Sequence, residues 1–491
     1  MPMTFVPNSA DQSPGYQIHL LIMQFYKTVE TTLGTNPPGC ARWYFLMGCL
    51  YWNSYAVMYP SFPFVDGFDA PRIQMNPQAT ESECFDFFLQ LLAVCYQYLA
   101  ETELPSLPPI VVPSTARTYA YVQSQFAPAV KAYLDGRRKD GYYTTEPFPF
   151  PNKGSYIQVH NGSTQNLNQV LPSPGTWAPL DTHYPDGTHK AQKPLQPYFV
   201  KIKNWLSDDQ MTAMYEIAEA NYPSESLYKT QEQAMVDLQP NLTEDQKLKA
   251  EIWAGTTYGL ASPPSKLMIF LALVLASNSL PLKESVALLG GMTFSLFHAG
   301  ICAWGVKYKY LQPRPIQGIR RDYLGKPVVD PITNKVVDGG DWIPYQKSNI
   351  YTPPFPDYVS GHSTFSMAVA VFFQMILHSD TIPIGAMVDM SYFQAIADNF
   401  DPNKQPTMLS NLCLQPHCSV LDPNLPTGMI ELKWNTWTEL AREIGYSRIT
   451  GGIHWSNSNL GGFAIGEWVA IQMIHQLDWN ALDLDFSSIS K

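Results

Sequence analysis

Between Val286 and Trp304 the chain is apolar on nearly every side of a helix. Such a segment fits only the middle of a helical core. Met292, Leu296, Ala299 and Ala303 recur on one stripe of that helix, and the stripe ends in Lys307. Pro313 and Pro315 then stop the helix and hold Arg314 in an extended geometry. Read alone, Lys307 is a lysine snorkelling from a helix end and Arg314 is a surface residue. The rest of the chain shares the helical period. Gln17–Gly34, Arg42–Tyr59, Glu81–Ala100, Ser114–Asp135, Thr243–Leu260, Ser265–Asn278, Leu282–Tyr310, Gly361–His378, Met387–Asp398, Lys433–Thr450 and Asn459–Leu477 each read as one helix.

The expected architecture is therefore all-α, two four-helix-bundle-like halves joined by long Pro-rich loops. The expected divisions are an N-terminal helical bundle over 1–136, a long wrapping loop region over 137–242, and a C-terminal bundle over 243–491, forming one compact unit. Loop composition is clearest from Arg137 to Lys201, and Arg320–Ile350 is a loop with one hairpin, Val328–Asp330 against Val336–Asp338. The most apolar run, Leu267–Ala276, is far short of the roughly 20 residues that a membrane span needs. Met1–Gln12 has neither a basic start nor an apolar stretch. The expectation is a soluble protein, cytoplasmic or secreted without a recognisable leader. A formal net charge of -11 argues against a nucleic-acid partner. The cysteines read as core thiols. Cys413 and Cys418 flank His417 as loop thiols or a local disulfide, one ligand short of a structural zinc site.

Two further segments carry chemistry. In Val359-Ser360-Gly361-His362, Ser360 fits an N-cap, so the free amides of Gly361 and His362 face outward at a helix N-terminus, which attracts anions. An ordinary capped helix with an incidental histidine has the same local pattern. In the third segment Trp437, Ala441, Ile444 and Arg448 share a stripe that points an arginine into the core. An unpaired charge there is costly. Gly451 and Gly452 turn the chain so that His454 can face the same place, although a nearby carboxylate could equally pair with Arg448. Taken together, the segments bring Lys307, Arg314, Ser360, Gly361, His362, Arg448 and His454 to bear on a phosphate-like oxyanion. Two histidines suit nucleophilic attack and protonation of a leaving oxygen.

The order and spacing of these motifs (Lys, six residues, Arg-Pro; Ser-Gly-His; Ser-Arg, five residues, His) resemble the superfamily of vanadium haloperoxidases and type 2 phosphatidic-acid phosphatases. Gly175–Trp177 and the helices around Glu251–Lys307 extend the likeness more weakly. The resemblance implies paired four-helix bundles with an anion, vanadate or phosphate, at the end of one. It implies that Lys307, Arg314 and Arg448 neutralise oxygens beside Ser360 and the Gly361 amide. Lys307 would also polarise peroxide, His454 would be the vanadium ligand or the phosphatase nucleophile, and His362 the acid–base residue. Trp304 and Phe355 are similar to aromatic positions near a halide site. The haloperoxidase branch is the closer one, with hydrogen peroxide, halide and a small organic acceptor as partners and a homo-oligomer left open. The alternatives are a soluble metal-independent acid phosphatase with a phosphohistidine intermediate and a non-catalytic oxyanion-binding protein.

The chain departs from that pattern in three places. Val359 stands where the family has proline, His298 where many relatives have an acid, and Ser458 where an aspartate orients the histidine. The expectation is that Ser458 Oγ or a backbone carbonyl holds the far nitrogen of His454, and that Ser458→Asp strengthens vanadate affinity or raises turnover by roughly tenfold.

Overall fold

The computed structural model describes residues 13–33, 36–112, 122–149, 157–160, 176–183, 187–254, 262–347, 351–383, 413–414, 416–417, 419–431 and 433–489. They are mostly helical. In chain order the helices are α1 (Pro14–Leu33), α2 (Pro37–Met58), α3 (Glu81–Thr102), α4 (Ala127–Arg137), α5 (Asp208–Ala220), α6 (Glu225–Leu238), α7 (Glu244–Ala254), α8 (Pro263–Asn278), α9 (Leu282–Tyr310), α10 (Pro315–Asp322), α11 (Gly361–Leu377), α12 (Trp437–Thr450) and α13 (Ser456–Gln476).

The apolar helix around Val286–Trp304 is α9, with the predicted ends Leu282 and Tyr310, and it is the axis of the molecule. It packs against α2 on one side and against α11 and α13 on the other. Leu288, Leu289, Met292, Phe294, Leu296, Phe297 and Ile301 are all 0% exposed. Burial of each such side chain stabilises the fold by about 1.5–3 kcal/mol before entropy is counted. By length and composition α9 is apolar enough to cross a membrane, but its apolar window lies entirely inside the protein. It is a core helix, and the run Leu267–Ala276 belongs to α8, which packs on α1. One apolar cluster runs from Ile18 to Ile489, so the two halves share a continuous core.

The end of the molecule that carries the motifs is set by α11 lying against α12 and α13. Close approach requires glycine. A Cβ on Gly462 of α13 would stand 2.7 Å from the carbonyl oxygen of Ser360, at the very start of α11.

Several boundaries differ from expectation. Within the stretch read as a wrapping loop, Asp208–Ala220 and Glu225–Leu238 are helical. Ser207 and Gln210 form a capping box on α5, and Ser224 caps α6. These caps mark both helix starts inside the region read as loop. Helix α12 begins at Trp437 because Thr436 accepts from the amide of Glu439. A further helix, α10, follows Arg314 directly, with Pro315 in its first turn. The predicted hairpin is present as β4 (Pro327–Val329) against β5 (Val336–Asp338), after a small sheet of β1 (Ile157–His160), β2 (Leu180–His183) and β3 (His189–Ala191). The helix expected over Met387–Asp398, and parts of those over Ser114–Asp135 and Thr243–Leu260, lie outside the described residues.

Candidate active site

The seven residues come from four positions in the chain. Lys307 sits in the last turn of α9 and Arg314 is the extended residue before α10, with φ -72° and ψ 159°. Ser360 caps α11, accepting from the amide of Ser363, and Gly361 and His362 are the first residues of that helix. Arg448 closes α12. Gly452, at φ +67°, then reverses the chain so that the amides of Ile453 and His454 both donate to the Arg448 carbonyl, at 3.1 and 3.2 Å. That backbone fold places His454 beside the arginines.

All three cations are buried. Lys307 and Arg314 are 0% exposed and Arg448 is 2% exposed. Lys307 Nζ donates to the carbonyls of Pro356 and Asp357 at 2.9 and 3.0 Å. Arg314 donates from Nε to Phe355 O at 2.9 Å and from Nη1 to Ile453 O at 2.8 Å. Arg448 Nη1 reaches Ala250 O at 3.3 Å. Arg314 Nη2 and Arg448 Nε are buried with no hydrogen-bond partner among the described residues.

A structural buried arginine looks different in this protein. Arg42 Nε lies 2.9 Å from Asp140 and its Nη1 3.1 Å from Glu103, and these carboxylates lift its pKa despite burial. At the candidate site the shift runs the other way. Burial and mutual repulsion hold Arg448 down to about 9, and burial, only partly offset by Asp357, holds Arg314 down to about 10. Burial and the nearby Arg314 push Lys307 well below the ordinary lysine value. The site is short of negative charge, and two orphaned N–H groups and the α11 N-terminus are donors that an oxyanion could meet.

Both histidines are held neutral. His454 is pushed well below the usual range by burial first, then by Arg314, Lys307 and Arg448. Burial and then Arg448 do the same to His362. His362 Nε2 lies 2.8 Å from the carbonyl of Trp253, an acceptor only, so that nitrogen carries the proton and Nδ1 keeps its lone pair. Arg314 Nη1 donates toward His454 Nε2 at 3.0 Å. Trp304, Phe355, Gly361, His362, Phe365 and His454 line a cavity of about 20 Å³, room for about one water-sized molecule. The Trp304 and Phe355 rings are 5.0 Å apart on its wall, and Lys307 Nζ is 5.0 Å from the Phe355 centroid.

Ser458 does not meet His454. Its Oγ donates instead to Asp357, a fully buried carboxylate whose Oδ1 lies 2.7 Å from His454 Nδ1. Burial, opposed by Arg314, lifts Asp357 to about 7. Sequence reasoning missed this residue because Pro353–Pro356 reads as a rigid connection. The available signal was a lone carboxylate in an otherwise apolar run next to Ser-Gly-His. Lys266 was missed as well. It is buried beside Trp253, 5.3 Å from the ring centroid, and its charge bears on Arg448 and His362. His298 is a neutral structural residue. Burial holds it at about 4, its Nδ1 donates to Phe294 O at 2.7 Å and its Nε2 accepts from the Trp205 amide at 3.1 Å. Among the described residues no group of His, Cys, Asp and Glu could hold a metal cation.

Comparison with known proteins points to one family and fold. Residues 287–479 match the family described as the VCPO second helical-bundle domain. A 175-residue stretch is 30% identical to the vanadium chloroperoxidase of Curvularia inaequalis, covering 32% of this chain and only 25% of that protein. Among solved structures, a holo-type bacterial vanadium-dependent chloroperoxidase superposes with a TM-score of 0.59 at 13% identity, covering 92% of this chain and 95% of that one. A bacterial vanadium-dependent iodoperoxidase gives 0.59 at 16% identity, with 97% and 98% coverage. Residues 287–479, which hold all seven of these residues, thus match the VCPO second helical-bundle domain, on a chain with the overall fold of the vanadium haloperoxidases.

Proposed function

We propose that this protein is a vanadate-dependent haloperoxidase, oxidising a halide with hydrogen peroxide to hypohalous acid, which then halogenates a small organic acceptor. The observation that carries this reading is the excess of positive charge: three buried cations face the one carboxylate of Asp357 around a neutral His454, and two of them have an N–H without a partner among the described residues. Lys307, Arg314 and Arg448 would hold the oxygens of vanadate with Ser360 and the Gly361 amide, and phosphate would fit the same donors. The Nε2 lone pair of His454 would be the ligand. Bound vanadate would supply a Lewis acid that activates peroxide toward attack by halide.

The chain's own residues do the rest. Neutral His454 offers a lone pair at neutral pH, which a protonated imidazole could not. Lys307, whose Nζ is 5.0 Å from the Phe355 centroid, would polarise peroxide at the site. His362, with Nε2–H tied to Trp253 O, keeps Nδ1 to take or return a proton. Trp304 and Phe355 offer ring edges and a dry wall to a weakly hydrated halide. The names of the relatives, chloroperoxidase and iodoperoxidase, favour this chemistry. The test is halogenation of a phenol or diketone after vanadate reconstitution. A peroxide- and halide-dependent product is expected, and none with chloride, bromide or iodide sinks the reading.

A phosphomonoesterase remains the second reading, because a neutral His454 with its lone pair on Nε2 also suits a phosphohistidine nucleophile. Labelled phosphate trapped on His454 would favour it, with vanadate then acting as an inhibitor. The non-catalytic alternative loses its two motives, since Asp357 stands beside His454 and His298 lies in the core, bonded to Phe294 and Trp205.

A further inference from the structure

We propose that Asp357 is the positioning residue for His454, and that its carboxylate can be supplied from position 357 or from position 458 but from only one at a time. The inference rests on reading His454 as the group that meets the anion.

Asp357 is the carboxylate in contact with that ring, and it is 0% exposed. Its Oδ1 lies 2.7 Å from His454 Nδ1, off the ideal hydrogen-bond line, and apo contacts of this kind tighten when a ligand binds. On the ring's other nitrogen stands Arg314, which can only donate. A carboxylate at Nδ1 and a guanidinium at Nε2 select one tautomer, with the proton on Nδ1 and the lone pair on Nε2. Without the carboxylate, Arg314 alone would still favour a lone pair but could take it from either nitrogen, since its Nη1 is 3.0 Å from Nε2 and 3.4 Å from Nδ1.

Ser458 holds Asp357 in place. Its Oγ donates to Oδ2, and its carbonyl accepts from the Ser360 amide at 2.8 Å. The Asp357 amide in turn donates to Gln312 O at 3.0 Å. These bonds tie together the segments that carry Arg314, Ser360 and His454. Because Ser458 Oγ touches Asp357, a carboxylate grown from position 458 would enter the space that the Asp357 carboxylate fills. With a small residue at 357 it would face His454 instead. With Asp357 still present, two carboxylates would abut in a site that water does not reach, and both could not stay ionised.

The test uses full-length protein with 15N-labelled histidine, the His454 signals being identified by their loss in His454→Gln. Wild type is expected to show Nδ1 protonated and Nε2 unprotonated. Asp357→Ala is expected to give a mixture of tautomers and to weaken binding of inorganic phosphate by about tenfold. Asp357→Ser, whose hydroxyl is too short to reach the ring, serves the same arm should the alanine protein unfold. Ser458→Asp added to Asp357→Ala is expected to restore the single tautomer and bring phosphate affinity back to within about threefold of wild type, while Ser458→Asp alone weakens it. This reverses the gain expected of that substitution from sequence. An unchanged tautomer in both Asp357 variants, or no rescue in a folded double variant, overturns the proposal. Failure of wild type to bind phosphate would instead count against the oxyanion reading, and the tautomer signal still decides this one.

Discussion

Arg448→Met is the substitution in which stability and binding are expected to part most clearly. Methionine keeps most of the length and volume and removes the charge. The Arg448 guanidinium is 2% exposed, makes one long bond to Ala250 O and leaves Nε unpartnered among the described residues, and is repelled by Arg314. Burial brings its pKa down to about 9. At about 1.4 kcal/mol for each pH unit, the distance from arginine's ordinary value is an energy of roughly 4–5 kcal/mol set against the charged form. Losing the bond to Ala250 O offsets about 1 kcal/mol of that. Replacing a poorly paired buried ion with an apolar side chain is commonly neutral or stabilising by about 1–4 kcal/mol. The methionine protein is therefore expected to unfold at higher denaturant in anion-free buffer, by about 1–3 kcal/mol. Its phosphate or vanadate dissociation constant is expected to rise by about a hundredfold, the loss of charge-assisted bonds of about 1.5–3 kcal/mol each. Equilibrium urea unfolding and isothermal titration measure the two terms. A methionine protein destabilised by more than about 2 kcal/mol without anion would mean that Arg448 is a paired structural residue, and the reasoning from unbalanced charge would fail.

Other expectations follow from the same contacts. Burial holds His298 at about 4 against an ordinary 6.5, so between those values the unfolded chain binds a proton that the folded chain refuses. Stability falls as pH drops through that window, by roughly 3 kcal/mol at its lower end. A His298→Gln protein should lose less between pH 7 and 4, and equal slopes in urea unfolding would refute the assignment. Gly462→Ala places a methyl 2.7 Å from Ser360 O and 2.8 Å from Ser363 Cβ. It should cost about 1–3 kcal/mol and weaken phosphate binding by displacing the α11 N-terminus, whereas an unchanged Tm and Kd would show that the two helices have slack there. Trp304→Ala should raise the KM for halide more than it lowers vanadate affinity, and steady-state kinetics with varied halide would show the reverse if Trp304 only packs the core.

Much of the site was legible because each motif carries its own local signal. The apolar stripe of α9 ends in Lys307, Ser360 caps α11, and the arginine on the α12 stripe is followed by a glycine turn at Gly452. An apolar character on nearly every side gave α9 its full extent because it is buried on every side, and the hairpin of β4 and β5 followed from its turn residues. What stayed hidden depends on contacts between distant parts of the chain. Asp357 meets His454 and Ser458 about a hundred residues away, and no spacing rule reports such a meeting. The Ala250 and Trp253 carbonyls that engage Arg448 and His362 are equally remote. Helices α5 and α6 lie just beyond Arg137–Lys201, and the loop character of that run was carried over them although Ser207 and Ser224 cap both.

The central claim is that Lys307, Arg314, Arg448, the α11 N-terminus and His454 form one site for vanadate. It is tested most directly by crystals equilibrated with orthovanadate and measured at the vanadium absorption edge. The account predicts an anomalous peak against His454 Nε2, surrounded by Lys307, Arg314 and Arg448, and absent from crystals of His454→Ala. No peak there at saturating vanadate, or a peak elsewhere on the protein, would contradict it.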